Sequence, residues 1–235
     1  MVHGLGRRAQ NRIDRHEAFL AAAKHVAFVE GLGALTMQRL AAEVDCAVGT
    51  AYTYFPSKSA LVAEVQREAI ETLNASCERF LATLVDDPLT HLVGLGQFWV
   101  DTFEVFPEEA RLLQMLMSET SPTVSDDDVS RVLPAALGLL DHARRAFEAA
   151  AAQGALGPGD AMERTVVLAA ALNGVLLLDH VARVDPTLFD GRRLARSVAR
   201  DLLVSWGADA TALAGAARRV VALAGRGPVA TRESS

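Results

Sequence analysis

Apolar residues recur at three- and four-residue intervals along almost the whole chain, the period of amphipathic helices. The sustained apolar/polar alternation of half-buried strands is missing from the sequence. Breakers divide the helical pattern at regular intervals. Gly31-Leu32-Gly33 closes a first helix that begins at about Asp14, and Thr36 caps a short second helix ending near Val44. A third helix spans Val48–Phe55. Pro56-Ser57 then breaks the chain, with Ser57 as cap of a long fourth helix from Lys58 to about Leu84. Asp87-Pro88 has the cap-then-proline form of a helix start, so a fifth helix runs to about Val105. Pro107 opens a sixth that ends near Met117, and the polar Ser118–Asp128 is expected as an exposed loop. A seventh helix to about Gln153, an eighth from Asp160 to Val184, a ninth from Leu188 to Trp206 and a tenth from Asp209 to Gly225 follow. The tail, residues 227–235, is expected to be disordered.

Composition narrows the class. Of 235 residues, 51% are apolar and 22% charged, which is globular composition. The longest apolar run, Val166–Leu178, contains Asn173 and is shorter than the ~20 residues a bilayer span needs. It is expected as a buried core helix, and no membrane partner is expected. The opening MVHGLGRRAQNR has no apolar core of a secretory signal. Two cysteines, Cys46 and Cys77, exclude a disulfide scaffold and a four-cysteine zinc site, and point to the reducing cytoplasm. The formal charge is −6, but residues 1–60 carry seven basic and five acidic side chains, a net +2 on a chain whose remainder is −8. That asymmetry fits a head that meets an anion on a body that does not, and it also fits chance.

The front of the chain settles more. Two short helices joined by about four residues, after a longer one, have the layout of a helix-turn-helix. Leu40, Ala41, Val44 and Ala51 are the small apolar residues needed to pack two helices closely. Val48, Gly49, Thr50, Tyr52, Thr53 and Tyr54 are left outward on the third helix. These types suit a DNA groove: a glycine for close approach, hydroxyls for hydrogen bonds, a valine for a thymine methyl, tyrosines for phosphate. Lys58, at the start of the next helix, is placed to pair with phosphate. An ordinary amphipathic pair on a bundle surface would account for the apolar positions. It would not account for both of the chain's tyrosines, two threonines and a glycine within Gly49–Tyr54, a poor helix composition.

The ordered series Thr36, Leu40-Ala41, Gly49-Thr50, Tyr52, Tyr54-Phe55, Lys58 and Leu61 resembles the signature of TetR-family transcriptional regulators. The resemblance covers about Asp14 to Leu61. It implies an all-α fold, with an N-terminal helix-turn-helix DNA-binding domain at 1–57 and a helical effector-binding and dimerisation domain at 58–226, in about nine or ten helices. By resemblance, Thr36, Val48, Gly49, Thr50, Tyr52, Tyr54 and Lys58 fall on DNA-contacting positions, with Gln38 and Arg39 as accessory contacts and Arg7, Arg8 and Arg12 as a phosphate-binding arm. Three residues depart from the pattern. Asp45 stands where glycine is usual and must take a left-handed turn. Cys46 replaces valine and is expected as a small buried hydrophobe. Ala47 replaces a serine or threonine, which removes a capping hydroxyl worth about 1 kcal/mol.

For the body, the resemblance implies a homodimer on a palindromic operator, a small effector and repression relieved by that effector. Ala169, Ala170, Gly174 and Leu177, with Leu194, Val198 and Leu202, recur at helical spacing and suit a four-helix interface between subunits, or an ordinary monomeric core stripe. Ala170, Gly174, Leu194, Val198 and Leu202 are the expected interface. Phe98, Trp99, Phe103, Phe106 and Leu112–Met117 form a dense aromatic and methionine cluster, with Gly94 and Gly96 leaving room beside it. An apolar effector is expected against Phe98, Trp99, Phe103, Leu113, Met117, Leu140, Asn173 and Leu177, with His142 and His180 as further polar contacts. No cofactor, metal site or catalytic constellation is expected: Asp126-Asp127-Asp128 reads as a solvated loop, and the adjacent Asp179 and His180 point about 100° apart. The readings outside this class are a helical small-molecule-binding protein or a small helical enzyme, neither with a DNA function.

Overall fold

In the computed structural model, residues 6–118 and 124–232 are described, without the side chains of residues 8, 115–118, 179 and 180. Among the described residues there are ten α-helices and no strand: α1 Arg7–Val29, α2 Met37–Glu43, α3 Val48–Tyr54, α4 Lys58–Leu81, α5 Pro88–Val105, α6 Pro107–Ser118, α7 Asp126–Ala152, α8 Ala161–Leu177, α9 Gly191–Ser205 and α10 Ala210–Ala224. None of them is long and apolar enough to cross a membrane.

The expected caps form. The side chains of Thr36, Asp87, Asp160 and Asp209 each accept from the backbone N–H three residues on, and Ser57 does the same for Ala60 at 3.0 Å. Asp190 caps α9, so that helix starts at Gly191 rather than Leu188. Two differences are larger. α1 begins at Arg7, because the polar run before Asp14 continues the helix. The acids expected in a loop form the first turn of α7 instead, where the partial positive charge of the helix end favours carboxylates.

The chain divides into two compact units, Met1–Ala69 with Met115–Pro134, and Ile70–Gln114 with Ala135–Ser235. The division falls inside α4 rather than before it. Leu61, Val62 and Val65 of α4 are fully buried in the first unit, and Glu68 pairs with Lys24 of α1. Ser59 of α4 donates to Asp128 at the start of α7, which also accepts from Ser125 at 2.8 Å. These two hydroxyls, Ser59 first, hold the Asp128 carboxyl below the usual aspartate range.

The second unit has its core between α5, α7, α8, α9 and α10, with Leu92, Val100, Phe147, Leu172, Leu203 and Ala216 at its centre. Phe147 meets Trp206 edge to face at 5.3 Å, and the Arg164 guanidinium lies over the same indole while donating to the carbonyls of Gly157 and Pro158. Gly94 leaves no room for a guest. A Cβ there would lie 2.8 Å from Leu84 and 3.2 Å from Phe80, so the glycine serves close packing of α5 on the end of α4.

The expectation of a disordered tail after Gly227 is corrected for residues 229–232; residues 233–235 lie outside the described residues. Val229 and Ala230 are buried. The Val229 N–H donates to the buried Asp101 at 2.8 Å, Thr231 exchanges two hydrogen bonds with Ser76, and Arg232 forms a two-pronged pair with Glu109 while lying over Phe106. Side-chain and backbone partners, rather than helical periodicity, hold this segment.

A buried histidine is expected to make this unit sensitive to acid. His142 Nε2 lies 2.8 Å from Asn74 Oδ1, and Nδ1 accepts from Arg145 at 3.2 Å, which fixes a neutral ring. Burial first, and the Arg145 charge second, push its pKa below the ordinary 6.5. A depressed histidine pKa means that the unfolded chain takes up the proton more readily. The contribution to stability is therefore complete above pH 6.5 and is lost as pH falls from there through the folded value. The expected result is a melting temperature that falls below pH 6.5 in wild type and falls less in His142→Gln, read by thermal unfolding across pH 5–8.

Candidate nucleic-acid interface

The helix-turn-helix is built on a few buried contacts. Leu40 and Ala41 of α2 and Ala51 of α3 are at most 1% exposed and form the seam between the two helices. The turn between them closes α2 as a Schellman motif: the Cys46 N–H bonds to Ala41 O at 2.9 Å and the Asp45 N–H to Ala42 O at 3.3 Å. Asp45 accordingly has φ +50°, and it is the sole non-glycine residue with positive φ among those described. Ala47 caps α3 without a side-chain bond, as its methyl requires. Cys46 is half-buried rather than buried.

Phe55 closes the assembly from below. Its ring stacks on His16 at 5.0 Å and meets Phe19 edge-on at 6.3 Å. Tyr54 joins the same cluster, 5.1 Å from Phe19. Its ring is thus half-buried against α1, not turned fully outward as the sequence suggested. The Lys58 ammonium donates to Leu32 O at 3.0 Å and ties α4 to the loop after α1, leaving two of its three protons for other acceptors.

Gln38, Gly49, Tyr52 and Thr53 are exposed, and Val48 and Thr50 half-exposed, along one side of α2 and α3. Gly49 is informative. Its φ is not positive, and a Cβ there would meet nothing within 4 Å, so neither backbone conformation nor internal packing asks for glycine. Two expected contacts have internal duties. The Thr53 hydroxyl donates to Gly49 O at 3.1 Å, and the Thr36 hydroxyl accepts from the Arg39 N–H at 3.0 Å. Arg39, expected as an accessory contact, is already engaged within the fold: its guanidinium bridges Glu30 at 2.8 Å and Glu43 at 2.5 Å. Those hydrogen bonds, Glu30 first, raise its pKa further above the ordinary arginine value. Two carboxylates on one guanidinium leave that spot with no surplus positive charge. Arg7 and Arg12 lie on α1, in a continuous helix and not a flexible arm; the side chain of Arg8 lies outside the described residues.

The residues expected to hold an effector are only partly brought together. Phe98 is buried and stacks on Phe80 at 6.2 Å. Trp99 and Phe103 meet edge to face at 6.0 Å, and the Trp99 indole N–H is buried without an acceptor among the described residues. Leu113 is buried, Leu140 is half-buried, and Asn173 is buried with its amide donating to Ala169 O at 3.0 Å. Leu177 does not belong with them. It is 47% exposed, because the α8 face that carries Leu172, Asn173 and Leu176 inward turns Leu177 out. The side chains of Met117 and His180 lie outside the described residues.

The interface expected on α8 and α9 is split. Ala170 and Gly174 are exposed on α8 beside Val166, Val167, Leu177 and Leu178, an uncovered apolar face. Leu194, Val198 and Leu202 are half-buried on α9, which packs against α8. Val166 and Val167, expected as core with the run around them, are exposed on this same face.

Residues 19–65 match the family described as bacterial regulatory proteins, tetR family. No curated protein matches the chain. Among solved structures, SmeT, the repressor of the Stenotrophomonas maltophilia multidrug efflux pump SmeDEF, is 22% identical, with 83% of this chain and 91% of that chain covered and a TM-score of 0.61. Reduced E. coli NemR is 18% identical over 80% of this chain and 96% of its own, with a TM-score of 0.61. RolR in complex with resorcinol is 19% identical over 90% and 96%, with a TM-score of 0.61. At such identities the likeness shows the fold alone, over 80–90% of the chain, while the family match runs from the middle of α1 into α4. The two findings point the same way: residues 19–65 match the tetR family of bacterial regulatory proteins, and the fold is shared with solved structures that include the repressor SmeT.

Proposed function

We propose that the protein is a repressor that binds a palindromic operator as a homodimer and is released by a small apolar effector. The observation that carries the DNA half is Gly49: a helical glycine that the fold itself does not require, set among exposed Gln38, Tyr52 and Thr53. Close approach of an external surface accounts for it. On this reading Val48 and Thr50 face base edges, Tyr52 and Lys58 face phosphates, and Thr36, Thr53 and Tyr54 hold the helices that present them. Arg39, already bridged, adds little.

The division of labour is testable. Lys58→Ala is expected to weaken binding to every sequence and to flatten its salt dependence by about one counterion, whereas Val48→Ala changes preference among half-site variants. Fluorescence anisotropy between 50 and 300 mM salt, on cognate and scrambled duplexes, checks both. Equal losses on both duplexes for both variants would refute this assignment. The initial experiment is an electrophoretic shift with DNA from upstream of the protein's own gene, and no specific shift would refute the DNA reading.

The dimer reading rests on the uncovered α8 face; a two-fold dimer pairs two reading heads, as a palindromic operator requires. The effector reading rests on Trp99. A buried indole N–H without a partner costs stability unless something supplies an acceptor, and its neighbours Phe98 and Phe103 ask for an otherwise apolar molecule. RolR, with resorcinol, offers a precedent of an aromatic ring bearing hydroxyls. α4 is the lever: its first turns belong to the unit that holds the reading head, and its last turns to the other. Weakening operator binding 100-fold through it needs about 2.7 kcal/mol of difference in effector affinity between the two states.

A further inference from the structure

Along one side of α9, Arg193, Arg196 and Arg200 stand over a groove of about 440 Å³ between α5, α9 and α10. None of the residues expected to hold the effector lines it. Its floor is built from small residues: a Cβ on Gly96 of α5 would lie 3.8 Å from the Cβ of Ala199 of α9, so two helices approach closely there. Leu213 and Val220 of α10 close the far wall, both buried. Val204 and Val221 flank the mouth and stay 45% and 57% exposed.

The charge on the rim is one-sided. No carboxylate lines the groove. Arg200 pairs with Asp201 and donates to the Ser197 hydroxyl. Arg193 donates only to the carbonyls of Thr187 and Leu188. Arg196 makes a single long bond, 3.4 Å, to the amide oxygen of the buried Gln97. Two guanidiniums therefore meet only neutral acceptors among the described residues, although each would gain more from an anion. An apolar trough beneath an unneutralised cationic lip is complementary to a molecule with an anionic head and an apolar chain. The volume, near the lower end of the range for small-molecule sites, suits a single alkyl chain of short to medium length.

We infer that this groove is a binding site for an amphipathic carboxylate of the straight-chain fatty-acid class. The carboxylate sits on Arg196 and Arg193, and the chain runs over Ala199 and Ala217 towards Val221. The site lies apart from the proposed effector chamber and does not depend on the DNA reading. A neutral apolar molecule would leave the arginines unused, and a cationic one would be repelled.

The test is calorimetric titration of the full chain with dodecanoate below its micellar concentration, beside dodecan-1-ol and dodecyltrimethylammonium. One dodecanoate is expected per chain, with the alcohol at least tenfold weaker and the ammonium silent. Arg193→Gln with Arg196→Gln is expected to weaken dodecanoate tenfold or more, and Ala217→Phe, which fills the trough, to abolish binding. Ala214→Phe, at the exposed edge, serves if Ala217→Phe does not fold. Sedimentation of the filled variant shows whether a second copy uses the groove. The inference is overturned if dodecanoate does not bind, if the alcohol binds equally well, or if filling the trough leaves binding intact. It is overturned equally if binding is lost only in Trp99→Leu, or if the filled variant loses a dimer that wild type forms.

Discussion

Val166→Glu combined with Ala170→Glu is expected to give a folded monomer that binds its operator at least a hundredfold more weakly than wild type. Both positions lie on the exposed side of α8, one turn apart, with Gly174 and Leu177 continuing the same apolar face. Within one chain the new carboxylates stay in water, so the stability of the isolated subunit changes by no more than about 1 kcal/mol. Across a two-fold axis the same carboxylates face their own copies in a desolvated seam, which costs several kcal/mol. A head that has lost its partner also loses the intramolecular second binding step, typically worth about 10²–10⁴ in apparent affinity. Sedimentation velocity reads the monomer, circular dichroism the fold, and anisotropy the affinity for full and half operators. A variant that stays dimeric with undiminished operator affinity would place the interface elsewhere.

Leu40→Ala is expected to be the most damaging single truncation in the reading head, with a loss of about 2–5 kcal/mol and with it all specific DNA binding. Leu40 is fully buried, and Ala51 is the sole buried residue that α3 brings to meet it. A seam that rests on one large side chain has little means to collapse around a void. The adjacent Schellman turn takes its carbonyls from the same helix, so it loosens with α2. Tyr52→Ala, on the exposed side of α3, is the companion: weaker DNA binding with the melting curve nearly unchanged. Urea unfolding of both variants, monitored by far-UV circular dichroism, separates them. A loss under 1 kcal/mol for Leu40→Ala would show that the seam is held elsewhere.

Legibility in the sequence follows the range of the interactions. Local ones read well. Thr36, Ser57, Asp87, Asp160 and Asp209 bond to N–H groups three residues away, so their spacing alone announces helix starts. Asp45 in its left-handed turn and the bare cap at Ala47 are equally local. The burial of Leu40, Ala41 and Ala51 follows from helical period and side-chain size.

What failed to show depended on partners far away in sequence. Arg39 reads as a free phosphate contact until Glu30, nine residues back, is found on it. Gly94 reads as room for a ligand until Leu84 and Phe80 fill the space. The tail reads as disordered because its order comes from Asp101, Ser76 and Glu109, more than a hundred residues earlier. Leu177 and Leu172 are alike in composition, and only the packing of α8 decides which of them meets water.

Sequence alone therefore determined the helical class, most helix starts, the helix-turn-helix with most of its outward residues, and the tetR-family likeness of residues 19–65, because each is written in spacings of a turn or two. Tertiary structure decided where the units divide, which apolar face of α8 stays uncovered, which arginines are already neutralised, and that a cationic groove lies between α5, α9 and α10. Those depend on charge pairing and burial between segments remote along the chain, and one-dimensional periodicity carries no record of which segments meet.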